Sequence, residues 1–207
     1  MNAPKIHKNK YKQVIYMAEN NSHELHNRLI LAGIEELNKN GLQNFSVRRI
    51  ADRCGVSCAA PYKHFKDKQS YVAAIIEYIN VMWAERLQGV LRRNLATTRE
   101  QILETSLEYI RFLVENPYFR SILMLKDEQF DSEYERLRGQ VSKRSRELIG
   151  KYCIEVNMPD KVALRKTFVV RSLIYGAALM FDNGELDYTD ENMQFVSDSI
   201  DREFDLP

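Results

Sequence analysis

Three features of this chain predict an all-α protein. Apolar residues recur at helical spacing nearly throughout. Glycine and proline are scarce, 8 and 5 in 207 residues, too few for the many turns of a β-sandwich or barrel. Capping residues stand where helices should begin and stop. The pattern resolves into about nine helices and no convincing strand.

Asn20-Asn21-Ser22 offers a cap for a first helix, in which Ile30, Gly33, Ile34 and Leu37 form one apolar stripe. Gly41 follows its last turn, where a left-handed residue ends a helix. Ser46 is a good N-cap for a short helix whose Val47, Ile50 and Ala51 share a face, and Gly55 breaks it. Ser57 can cap a second short helix over residues 58–65. Asp67 caps a long one from Lys68 to about residue 95, through Ala74, Tyr78, Val81 and Leu87. Thr98 with Gln101 reads as a capping box for a helix with Leu103, Leu107, Ile110 and Val114 inward. Asn116-Pro117 ends it and opens another over residues 118–125. Residues 128–152 read as a charged helix with Leu137, Val141 and Leu148 on its buried side. Pro159 opens a helix that closes at Asn183-Gly184. Thr189 caps a last one, with Met193, Val196 and Ile200 inside.

Composition excludes several classes. With 29% charged and 44% hydrophobic residues the chain reads as globular. No apolar run reaches the ~18 residues a membrane span needs, and the N-terminus lacks a signal-peptide core. Three cysteines form no disulfide framework, so a cytoplasmic protein is expected. The net charge of +1 conceals a split. Residues 1–70 carry 12 Lys and Arg against 6 Asp and Glu, a net of +6; residues 71–207 carry 18 against 23, a net of −5. A basic end joined to an acidic one fits a polyanion partner at one end, or chance clustering of solvated charges.

Residues 46–65 carry the chemistry. A helix of about eight residues, a glycine turn at Gly55-Val56-Ser57 and a second short helix make a helix-turn-helix arrangement, whose second helix enters the DNA major groove. Ile50, Val56 and Phe65 are apolar plugs fixing the helix angle, and Arg48, Arg49, Lys63, His64, Lys66 and Lys68 can neutralise phosphates. A plain helical hairpin satisfies the same pattern.

The stretch Ile30-Leu31-Ala32-Gly33, Gly41-Leu42, Phe45-Ser46-Val47-Arg48-Arg49-Ile50-Ala51, Gly55-Val56-Ser57 and Tyr62-Lys63-His64-Phe65-Lys66-Asp67-Lys68 resembles the DNA-binding domain of TetR-type transcriptional regulators. The resemblance implies a basic arm over residues 1–20, a reading head over 21–68 and a ligand-binding and dimerisation domain over 69–207. It implies a homodimer on a palindromic double-stranded operator, most often a repressor, released by a small-molecule effector. A ligand-independent DNA-binding or protein-interaction module on the same fold is the alternative.

Family roles carry over where residues match. Ser46 and Val47 would bind phosphate through hydroxyl and backbone N–H groups. Arg48 would reach the groove, where arginine can pair with guanine. Ser57 caps the recognition helix, and Cys58, Ala59 and Ala60 open it, small enough for close approach and thymine methyl contacts. Tyr62, His64 and Lys68 would hold phosphates, with Lys63 on the same exposed face. The chain departs from the pattern in three ways. Asn38 stands where the family has an apolar aromatic. Pro61 lies inside the recognition helix and removes an N–H. Lys5, Lys8, Lys10 and Lys12 with Tyr11 either follow a minor groove or form a solubilising tail.

Other constellations are weak. Cys54 and Cys58 lack further ligands for a metal, His23 and His26 read as first-turn polarity, and no catalytic arrangement has a supporting context. Neither an enzyme nor a metal or cofactor is expected. In the C-terminal half the segment 168–181 is apolar on nearly every face, which predicts cover on two sides. Phe168, Ser172, Gly176 and Leu179, with Met193, Val196 and Ile200 of the last helix, are expected to pair across a two-fold; a central core helix is the alternative. Trp83, Tyr109, Phe112, Phe119, Met124 and Tyr175 either line a cavity for a largely apolar effector or pack as core. Arg171 meets either an anionic group or a buried carboxylate.

Overall fold

The computed structural model describes residues 22–124, 136–137 and 139–206. The basic arm, with Lys5, Lys8, Lys10 and Lys12, lies outside them, as do residues 125–135. Among the described residues α-helices run in the order α1 (Ser22–Asn40), α2 (Val47–Cys54), α3 (Lys68–Leu91), α4 (Thr98–Glu115), α5 (Pro117–Met124), α6 (Lys143–Glu155), α7 (Asp160–Asn183) and α8 (Asp190–Glu203). A 3₁₀ turn over Pro61–Lys63 lies between α2 and α3. Among the described residues there is no strand, and no helix is long and apolar enough to cross a membrane.

The chain divides into two compact units, Met1–Ile79 with Tyr118–Leu137, and Asn80–Pro117 with Arg138–Pro207. In the first, α1 packs on α2. Leu29, Ile30, Ile34 and Leu37 of α1, Ile50 of α2 and Tyr71, Ile75 and Ile76 of α3 are buried. Gly33 lets α3 approach closely: a Cβ would stand 2.7 Å from Ile75 Cδ1 and 3.1 Å from the Tyr71 ring, so the Ile75 side chain would have to shift. Gly41 and Gly55, at φ 70° and 67°, take the left-handed conformation that ends α1 and α2. In the second unit, Leu107 and Ile110 of α4, Val170, Ile174, Ala177 and Phe181 of α7, and Met193, Val196 and Ile200 of α8 form one core.

Four expectations change. The helix expected over 58–65 is a turn at residues 58–60 and a single 3₁₀ turn. Pro61 has no N–H to return to Ser57, so Ala60 N–H bonds the Ser57 carbonyl (2.9 Å) and Lys63 N–H that of Ala60 (3.1 Å), the tighter three-residue pattern. The capping box of α4 is one residue earlier: Thr97 accepts from Glu100 N–H, and Glu100 accepts from Thr97 N–H at 3.0 Å. The charged helix expected over 128–152 is interrupted at Val141-Ser142, and α6 starts at Lys143. There the Trp83 indole N–H donates to the Val141 carbonyl (3.0 Å), which stands outside the regular helical ladder. Met193, Val196 and Ile200, expected to pair across a two-fold, are buried in the core that α4 and α7 of their own chain complete.

Candidate nucleic-acid interface

The reading surface is assembled from short elements. Ser46 caps α2 through a hydrogen bond from Arg49 N–H to its Oγ (3.3 Å). Beneath the cap lies Glu36 of α1, fully buried. Its Oε1 accepts from Ser46 N–H (3.3 Å) and Arg49 Nε (2.9 Å), and Arg49 Nη2 also bonds it and the Asn44 carbonyl. Arg53 ties α2 to α1 again through Glu35 (3.1 Å). Arg49 is therefore committed to the fold. Arg48, one residue earlier, is exposed and has no ion-pair partner among the described residues.

The segment after α2 is braced from below. Phe65 stacks on Tyr71 with ring centroids 3.9 Å apart, and Phe45 meets Tyr71 edge-on at 5.3 Å. The Tyr71 hydroxyl donates to the Leu29 carbonyl (2.7 Å), and burial raises its pKa far above the usual phenol value. On this platform Ser57, Cys58, Ala59, Tyr62 and Lys63 are exposed, Tyr62 at 57%. Ala60 and Val47 are half-buried. His64 is half-buried too, its ring 5.6 Å from that of His26. Asp67 caps α3, accepting from Ser70 N–H (2.8 Å), and this bond holds its carboxyl below the usual range. Lys68 is half-buried, its ammonium 3.5 Å from the Gln43 carbonyl. Asn38 is exposed rather than part of the core.

Of the residues expected at an effector site, Tyr109, Arg171 and Tyr175 line one cavity of about 170 Å³ in the second unit, together with Thr105, Ser106 and Arg146. Trp83 and Phe112 stand behind Tyr109, at 5.0 Å from its ring and 6.4 Å respectively, and do not line it. Phe119 is fully buried in the first unit, and the Met124 side chain is outside the described residues. Sequence reasoning passed over Arg146, which sits in a run of charges, and Glu36, whose signal was an acid on the apolar face of α1.

On α7, Phe168 (70% exposed), Ser172 and Leu179 are exposed and Gly176 is half-buried. Leu164 of α7 and Phe195 of α8 (64%) are apolar and exposed as well. Among the described residues no group of three or more His, Cys, Asp or Glu could hold a metal ion.

Comparison with known proteins agrees with this geometry. Residues 29–75 match the profile of bacterial regulatory proteins of the tetR family. No curated protein matches by sequence. A TetR family transcription regulator from Marinobacter aquaeolei VT8 superposes with a TM-score of 0.68 at 18% identity, over 86% of this chain and 94% of that one. A TetR-like transcriptional regulator from Rhodococcus sp. RHA1 gives 0.66 at 16%, over 89% and 96%. The regulator FadR from Bacillus subtilis, solved with stearoyl-CoA, gives 0.63 at 16%, over 86% and 96%.

Proposed function

We propose that this chain, a transcriptional regulator of the TetR type in its DNA-binding domain and its fold, is a cytoplasmic homodimer that represses transcription from a palindromic operator until a small effector enters the second unit. The observation that carries the reading is the exposed rim of Arg48, Ser57, Cys58, Ala59, Tyr62 and Lys63, held rigid by the buried Phe65–Tyr71–Phe45 stack. Arg48, Cys58, Ala59 and Ala60 read base edges. Ser46, Val47, Ser57, Tyr62, Lys63, His64 and Lys68 contact the backbone.

The dimer forms through the apolar face of α7 at Phe168, Ser172, Gly176 and Leu179, joined by Phe195 of α8 in place of the three residues consumed in the core. A two-fold through this face presents one head to each half-site. The solved neighbour that holds stearoyl-CoA supports ligand control on this fold. The coupling element is α3, whose residues belong to both compact units. Displacement at its far end alters the spacing of the two heads, so both half-sites can no longer be engaged.

The test is selection of duplexes from random sequence, then fluorescence anisotropy. Wild type should select an inverted repeat. Arg48→Ala and Tyr62→Ala should weaken binding at least about tenfold, with a shallower salt slope. If no duplex is selected, the chain is an interaction protein that has lost DNA binding. A sedimentation mass of one chain at micromolar concentration would sink the dimer.

A further inference from the structure

We infer that the cavity between α4, α6 and α7 takes a small organic anion, of the class of aromatic carboxylates, with Arg171 and Arg146 receiving the negative group. This deepens the effector reading and rests on it.

Size comes first. At about 170 Å³ the cavity is close to the ~150 Å³ known to hold benzene, so it admits one ring and a short substituent. Ile102, Leu148, Val170 and Ile174 supply apolar wall for a ring. Charge comes second. Arg146 and Arg171 both line the cavity, and among the described residues no carboxylate does. Two cationic side chains on one wall favour a negative group over a neutral or cationic one.

Arg171 is exposed, pairs with no acid among the described residues, and its guanidinium lies 6.0 Å over the Tyr175 ring. The ring face orients it without using its donors. Arg146 is anchored by Ser142 and the Gly139 carbonyl (3.1 Å), which fixes one edge of its fork. The sign of the remaining polar groups agrees. Burial holds the Tyr109 phenol far above its usual pKa, so it stays a neutral donor. Thr105 and Ser106 add hydroxyls; the Ser106 hydroxyl is already spent on the Ile102 carbonyl (2.8 Å). A planar fork facing a carboxylate is the bidentate pairing arginine makes best.

The chain contains its own reporter. Trp83 is the single tryptophan, and its ring is 5.0 Å from that of Tyr109 on the cavity wall. The experiment titrates the full-length protein, without DNA, with benzoate, with its neutral relative benzamide and with dodecanoate, reading Trp83 fluorescence and calorimetric heat. Benzoate should bind at least about tenfold tighter than benzamide, the scale of a charge-assisted pair. Arg171→Gln should bring the two to within about twofold, and Arg171→Lys should restore part of the preference. Equal binding of benzoate and benzamide by wild type overturns the anion assignment, and so does an unaltered preference in Arg171→Gln. Dodecanoate binding with benzoate silent overturns the size assignment. No binding of any of the three overturns both. Operator affinity is measured separately on the same samples. Loss of DNA binding there sinks the regulator reading and leaves the anion preference standing, whereas a failed anion preference leaves DNA binding intact.

Discussion

Glu36→Ala removes a carboxylate that stands fully buried beneath the start of α2. The wild-type oxygen accepts from Arg49 Nε at 2.9 Å and Ser46 N–H at 3.3 Å. A charge-assisted hydrogen bond contributes about 1.5–3 kcal/mol. The Arg49 side chain is 51% exposed, so water recovers part of that loss. The Ser46 amide loses its acceptor and adds about 1 kcal/mol. The expected destabilisation is about 2–3 kcal/mol, or roughly 4–12 °C in melting temperature for a chain of this size. The assay is urea unfolding followed by far-UV circular dichroism. Glu36→Gln, which keeps one acceptor and the volume, should lose about half as much as Glu36→Ala. Pairing Glu36→Leu with Arg49→Leu should recover much of the loss, since no charge is then left unmatched. A Glu36→Ala protein within about 0.5 kcal/mol of wild type would refute the reasoning, because that is the range of an ordinary surface change.

Tyr71→Phe keeps the ring stack but leaves the Leu29 carbonyl without its 2.7 Å donor, and urea unfolding should show a loss of about 1–2 kcal/mol. Lys166→Met strips the buried ammonium from the Glu203 carbonyl (2.6 Å), and hydrogen exchange should quicken at the end of α8 while the α1–α2 amides stay protected. Asp67 has a depressed carboxyl pKa in the folded chain, so its stabilisation is complete above the ordinary value of about 3.9 and fades as pH falls through the lower folded one; Asp67→Asn should flatten this part of the acid limb in a pH series of urea midpoints. Cys58 is exposed on the reading rim, whereas burial pushes the Cys54 thiol up. A thiol reagent at neutral pH should label Cys58 well before Cys54, and bound operator should slow the Cys58 reaction.

Much of the fold was legible because its signals are local. Ser46, Gly41, Gly55, Thr189 and Gly184 fix helix ends through backbone geometry that a neighbour cannot change. The α4 cap slipped by one residue because Thr97–Glu100 and Thr98–Gln101 share a spacing, and only the Glu100 bonds to the Ala96 and Thr97 amides choose between them. The recognition helix was overextended. Pro61 has no N–H to return to Ser57, so the segment tightens into a single 3₁₀ turn. The stripe of α8 was visible, but periodicity does not name the surface that covers it; α4 and α7 do. The cavity was the least legible. Its walls converge from residues 102–109, 141–149 and 167–175, and Arg146 has no local signal separating it from the solvated charges around it.

Pro61 sets how the two partners share the work of fitting. Under the proposed DNA-binding role, a segment of one 3₁₀ turn, with a missing N–H and a stacked ring beneath it, resists lengthening into a regular helix. Adjustment then falls to the DNA, whose cost of bending or widening depends on its base steps. On that reading, operators should be distinguished by how readily they deform at positions no side chain reaches, as well as by the bases that the exposed rim would touch.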